Sequence, residues 1–217
     1  MATPQPTLPA YLTFLYGTVG IKPGNLPSVS GTASGGSQTT LVDATQSWTV
    51  DQWDGYAATD LTQNVQAEVA SNTATTLTFE AALTEAVAAG DSYLVTPESV
   101  VMTLAVALDT VNLVLNLASP QYYTLAVYNL AADRLFNFAQ DVPGQTYFVD
   151  QRDRLRLMEV CVGVAAAASD QGTSLAMLNP EQMKLLTLQD LQTLKTPYGR
   201  IYMGIAQKYG RTIWGIS

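Results

Sequence analysis

The stretch Val100-Val-Met-Thr-Leu-Ala-Val-Ala-Leu-Asp109-Thr-Val-Asn112-Leu-Val-Leu-Asn116-Leu-Ala-Ser119-Pro120 decides how the chain is read. From Val100 to Ala118 it is apolar over about the length of a membrane span, roughly 20 residues. Asp109, Asn112 and Asn116, spaced by three and four, fall on one helical face. An aspartate at mid-bilayer costs roughly 2.5–3.5 kcal/mol on insertion scales. No basic flank sets an orientation. The segment is therefore expected to be a buried amphipathic helix over Val100–Leu117 with a narrow polar stripe, not a span. Ser119 as N-cap and Pro120 at the first helical position open a second helix, which runs to about Phe138 and stops at Val142-Pro-Gly144.

Downstream, Tyr147-Phe-Val149 is expected to be a short strand or extended piece, and Asp150 to cap a helix through Glu159, with a strand through Leu155, Leu157, Val160 and Val164 as the alternative. Ser169–Thr173 suits a loop. Asn179-Pro180-Glu181 marks a helix over Glu181–Leu186, continued after a break by Leu188–Leu194. Thr196-Pro197 begins the last helix, with Ile201, Ile205 and Tyr209 on one face and Gly210 closing it. Arg211–Ser217 is expected to be an apolar tail that either folds back or docks on a neighbouring subunit through Ile213, Trp214 and Ile216.

Upstream the pattern changes. Met1–Pro27 carries five prolines and suits an extended arm; Ser28–Ser37 is rich in Gly, Ser and Thr and suits a linker or turns. Between Thr39 and Thr96 the period is that of strands. Thr40–Asp43 is one; Val65, Ala67 and Val69 alternate with polar neighbours; Leu77 and Phe79 alternate with threonines; Tyr93–Val95 is the last. Ser71-Asn-Thr-Ala74 suits a hairpin turn. Trp48, Trp53 and Tyr56, with Leu77 and Phe79, are expected to form the core of this sheet; the alternative for the tryptophans is an exposed platform for a sugar.

The chemistry is defined mostly by what is missing. The 217 residues include no histidine and one cysteine, Cys161, so Ser/His and Cys/His nucleophile pairs and Cys/His metal sites are excluded. Cys161 suits a small buried hydrophobe. Gly31, Gly35 and Gly36 lack the Lys-Ser/Thr of a phosphate loop. Asp51, Asp54, Asp60, Glu68 and Glu80 could pair as glycosidase carboxylates, but nothing marks two of them. The chain is thus expected to be no enzyme and to need no cofactor or metal.

Charge points to contacts. Only 13 % of residues are charged, about half the usual share, while 47 % are hydrophobic. Interface cores are depleted in charge in the same way. Net charge is −8, and it is uneven. From Met1 to Asp133 eleven acids face one base, Lys22; from Arg134 on, nine bases face seven acids. An acidic front half does not bind nucleic acid by counterion release, though it could line a channel that DNA passes. Arg152, Arg154 and Arg156 would share one face of a strand, and Arg152 and Arg156 one face of a helix. They suit an interface strip or a solvated face balanced by Asp150 and Asp153. The N-terminal residues show no signal-peptide pattern, which implies assembly in the cytoplasm.

Two resemblances follow. Ser30–Gly36, Thr40–Trp48, Asp51-Gln-Trp-Asp-Gly-Tyr56 and Ala70-Ser-Asn-Thr-Ala-Thr-Thr-Leu-Thr78 resemble a small β module of tailed-phage virion proteins, in which the two tryptophans and the Asn-Thr turn are structural. Ser119–Phe138 and Leu194-Lys-Thr-Pro-Tyr-Gly-Arg-Ile-Tyr-Met-Gly-Ile-Ala-Gln-Lys-Tyr-Gly210 resemble phage head-to-tail connector (adaptor) proteins. That resemblance implies a homo-oligomeric ring, usually of twelve copies. Its partners would be the portal protein on one side and a tail or tail-terminator protein on the other, in the virion neck, with DNA passing unbound. Within the virion, a tail terminator, collar, baseplate component or carbohydrate-binding module are the alternatives.

The expected fold class is α+β, with a helical bundle core of four or five helices and an inserted small antiparallel β domain. The expected divisions are an arm (1–29), the β module (30–97), the helical core (98–210) and a docking tail (211–217). Interface residues would be Arg152, Arg154, Arg156, Arg211, Ile213, Trp214 and Ile216.

Overall fold

Seven strands make one antiparallel sheet, in the order β1-β7-β4-β5-β6-β3-β2. In this computed structural model residues 5–159, 167–170, 173–176 and 187–213 are described. The strands are β1 Val29–Thr32, β2 Gly35–Gly36, β3 Thr40–Val42, β4 Tyr56–Asp60, β5 Val65–Asn72, β6 Thr76–Phe79 and β7 Ser92–Pro97. The edge strands β1 and β2 are successive in the chain, separated only by Ala33 and Ser34. Ala33 donates to the Asp91 carbonyl beside one edge, and Ser34 to the Val42 carbonyl at the other. One continuous segment therefore serves both edges, and the sheet rolls up on itself. β5 makes the matching bend. Its first half pairs with β4 and its second with β6, with a bulge between Val69 and Ser71.

Inside the roll lie Trp48, Trp53, Val69, Leu77, Phe79, Tyr93 and Val95. Gly31 is required there, since a Cβ would come within 2.6 Å of both the Asp43 carboxylate and the Tyr93 hydroxyl. Those two groups are bonded to each other, Tyr93 donating to Asp43 Oδ2 at 2.7 Å.

The helices are α1 Leu8–Phe14 (continued by a π-type turn, Leu15–Val19), α2 Glu98–Thr110, α3 Val114–Ala118, α4 Pro120–Phe138, α5 Tyr147–Arg154, α6 Leu188–Thr193 and α7 Pro197–Ile213. A β8–β9 hairpin pairs Ala167–Asp170 with Thr173–Ala176. The second core surrounds α4, whose Tyr123, Val127, Leu130, Ala131, Leu135 and Phe136 are buried. Tyr11, Leu15, Ile21 and Leu26 from the N-terminal segment join it, as does Leu94 of the sheet.

The expected helical bundle core with an inserted small β domain is not found. The fold is α+β, but a seven-stranded sheet is a principal part of it, and the seven α-helices among the described residues are too unequal for a bundle. Among the described residues only α2, α4 and α7 exceed three turns; α1, α3, α5 and α6 have eight residues or fewer. The core around α4 also draws on Ile21, Leu26 and Leu94, which lie outside the helices.

Local expectations change too. Leu8–Phe14 is helical rather than extended, because Thr7 caps it and Pro9 sits in the first turn, where its missing N–H costs nothing. The Val100–Leu117 helix is broken at Val111; Asn112 Oδ1 accepts from Val114 N at 2.9 Å and restarts it as α3. Tyr147–Val149 is the first turn of α5, not a strand. Asp141 supplies the cap from outside, accepting from Phe148 N at 2.6 Å and Val149 N at 3.0 Å. The helix ends at Arg154, short of Glu159. Ser169 and Asp170 belong to β8, and α7 runs through Gly210 to Ile213. Cys161, Trp214, Ile216 and the helix expected over Glu181–Leu186 lie outside the described residues.

Candidate interaction surface

The three arginines expected to form a strip are separated by the end of α5. Arg152 turns inward and donates to the Ala139 carbonyl at 2.7 Å, at the C-terminal end of α4. A cation there also meets the negative end of the helix dipole. Arg154 is exposed in the last turn. Arg156 lies beyond it with a left-handed φ of 53° and makes a loose 3.9 Å pair with Glu159. Arg156 thus shares no face with the other two. Arg211 and Ile213 belong to α7.

Trp48, Trp53, Leu77 and Phe79 are buried in the barrel, and Tyr56 is half-buried with its ring edge-on to Trp53, 5.2 Å between centroids. Trp48 is 8 % and Trp53 4 % exposed, which leaves neither face open to stack on a sugar. Asn72, also buried, holds the loop that carries them. It accepts from Trp53 N at 2.8 Å and donates to the Thr49 carbonyl at 2.7 Å.

What the surface does offer is apolar. α2 exposes Met102 and Val106, α3 exposes Val114 and Leu117, and Leu113 stands between them. Leu117 is 86 % and Leu113 65 % exposed. Tyr122 and Leu125, at the start of α4, extend the patch. Lys208 of α7 lies beside it, its Nζ 5.2 Å from the ring centres of both Tyr122 and Tyr209. From sequence, the apolar faces of Val100–Leu117 and Tyr122–Phe138 are expected to hold subunits together, but the pattern does not say which of their residues stay exposed. Period alone does not say which side of a nearly all-apolar helix has a partner.

Two clefts flank α2. One of about 500 Å³ lies between Pro6–Pro9, Leu61 and the Val101–Leu108 side of α2. The other, of about 420 Å³, lies where the barrel meets the helices and is lined by Leu26, Tyr56, Pro97, Glu98, Met102 and Pro143. Beside it the strand register gathers acids. Pro97 pairs with Tyr56, placing Glu98 near Asp54; Ala57 pairs with Glu68; and Glu80 N donates to the Glu68 carbonyl at 2.9 Å. All four carboxylates are exposed. The Glu80 charge, then partial desolvation, then Glu98 and Asp54 hold the Glu68 carboxyl above its ordinary value. The sequence listed three of these acids without showing that they converge.

A different carboxylate is buried between helices. Asp133 of α4 accepts from the Thr196 hydroxyl at 2.5 Å, and Thr196 Oγ1 in turn accepts from Gly199 N at 2.8 Å. Burial pushes the Asp133 carboxyl up to about 6, with the Thr196 bond and the Arg134 charge pulling the other way. This pins the start of α7 to α4.

Among the described residues no three His, Cys, Asp or Glu side chains are placed to hold a metal ion, and no helix is long and apolar enough to cross a membrane. No family model, curated protein or solved structure matches the chain.

Proposed function

We propose that the chain is a structural subunit that assembles with copies of itself into a ring in the neck of a tailed-phage virion, joining portal to tail and leaving a path for DNA. The observation that carries the self-assembly is the apolar face formed by Val106, Leu113, Val114, Leu117, Tyr122 and Leu125 on α2, α3 and α4. Soluble monomers rarely leave this many large apolar side chains of successive elements in water. The sparse charge of the chain suits copies of itself as the cover, because subunit interfaces exclude charge from their centres. The neck position, the twelve copies and the portal and tail partners rest on the resemblance of Ser119–Phe138 and Leu194–Gly210 to connector proteins. No catalytic step is part of this function.

Mass by light scattering, with rings sought in negative stain, tests it. The expected result is a closed oligomer, formed alone or on adding portal protein. A strict monomer under both conditions overturns the proposal.

A further inference from the structure

The described surface has two charged regions at opposite ends of α4. The acid-rimmed cleft lies at the C-terminal end, where Met102 of α2 approaches the Gln140–Pro143 loop. Glu98 on its wall, and Glu68, Glu80 and Asp54 grouped with Glu98, make no ion pair among the described residues. At the other end α7 contributes bases and α2 one acid, the exposed Asp109. From Leu191 to Ser217 the sequence has four bases and no acid. Two of them are already engaged at the near end, Lys195 with the Arg156 and Glu159 carbonyls and Arg200 with that of Leu194. Lys208 is exposed, held over Tyr122, and Arg211 follows three residues later on the same helix.

The two regions do not meet within one chain. α7 runs antiparallel to α4: Tyr198 stacks on Phe136 at 5.4 Å, and Tyr209 meets Tyr122 at 5.0 Å. From Tyr122 to Phe138 the helix rises about 24 Å at 1.5 Å per residue. Each region also mixes charge with apolar surface, the cleft through Tyr56, Pro97 and Met102, the far end through Leu117, Tyr122 and Leu125.

We infer that the acid-rimmed cleft of one copy receives the Lys208–Arg211 end of a second copy, head to tail. This inference rests on the self-assembly proposed above and names its contact. A contact between two different patches is heterologous, and repeated copying of it closes a ring when the rotation per subunit permits. The same opposition of charge would guide the approach and fix its polarity.

The full chain tests it through two charge reversals, E68K/E80K and K208E/R211E, followed by sedimentation at low and high salt. Glu68, Glu80 and Lys208 are exposed, and circular dichroism checks that each variant folds. The wild-type oligomer should weaken as salt rises. Each reversal should weaken association about tenfold or more, the scale of a lost close charge pair at an interface. The chain carrying all four changes should regain it. If the wild-type chain assembles and neither reversal alters it, the head-to-tail contact is wrong while self-assembly stands. If the wild-type chain stays monomeric with and without portal, both fall. A short DNA duplex serves as the control for the cationic end. If the wild-type chain binds it, K208E/R211E does not, and assembly is unchanged, the basic end serves nucleic acid and the contact is overturned.

Discussion

At the scale of single residues, the buried Asp133 makes stability depend on pH in an unusual direction. Its carboxyl titrates at about 6 when folded, above the ordinary 3.8. The folded state therefore holds the proton more tightly. The resulting stabilisation is full below the unfolded value and is lost as pH rises through about 6. Its ceiling is about 3 kcal/mol, from two pH units at 1.36 kcal/mol each. Thermal melts should thus show the α4–α7 contact firmer at pH 5 than at pH 7.5. Asp133→Asn keeps an oxygen for the Thr196 hydroxyl and should flatten that slope; an unchanged slope would assign it to another group. Asn72 is the second case. Truncation to alanine strands Trp53 N and the Thr49 carbonyl, and an unfolding midpoint should report a loss of about 2–3 kcal/mol. The tryptophans could be read from sequence as core residues because large indoles favour burial. Asn72 and Asp133 could not, since their partners lie 19 and 63 residues away and are set by the fold.

At the scale of elements, legibility followed the local signals. Ser119-Pro120 placed the start of α4, although the Ser119 side chain makes no capping bond. Thr196-Pro197 likewise placed α7, and the alternation at Val65–Val69 and Leu77–Phe79 placed β5 and β6. β1, β2 and β4 are hard to read because Gly, Ser, Thr and Ala make up most of them and carry no hydrophobic period; β4 lies between two strands and is buried along four of its five residues. α5 was misread because its cap comes from Asp141, several residues upstream, and not from Asp150. Asp141→Ala should therefore unwind the first turn of α5 and cost about 1 kcal/mol, read as lost helicity and a lowered melting temperature. If α5 keeps its amide protection in that variant, the capping role is wrong.

At the scale of the whole molecule, no single segment of sequence announces that the sheet closes. Closure depends on two edges being supplied by one run of chain, a fact of pairing rather than of composition. Without it the β region reads as a small insert and the helices as the principal body, which is how the bundle expectation arose. The apolar α2–α3 face is likewise visible only once α4 has claimed the opposite side of α2. Leu113→Asp with Leu117→Asp should leave the unfolding free energy within about 0.5 kcal/mol, since both side chains already face water. The same change should shift light scattering to monomer; an oligomer that survives it would exclude this face from the contact.

The chain enters the barrel at Val29 and leaves it on the neighbouring strand, with Val29 opposite Val95. A pull applied between the N-terminal helix and α2 would act on those adjacent ends. It would open the β1–β7 ladder rung by rung, like a zipper, instead of shearing all its hydrogen bonds at once.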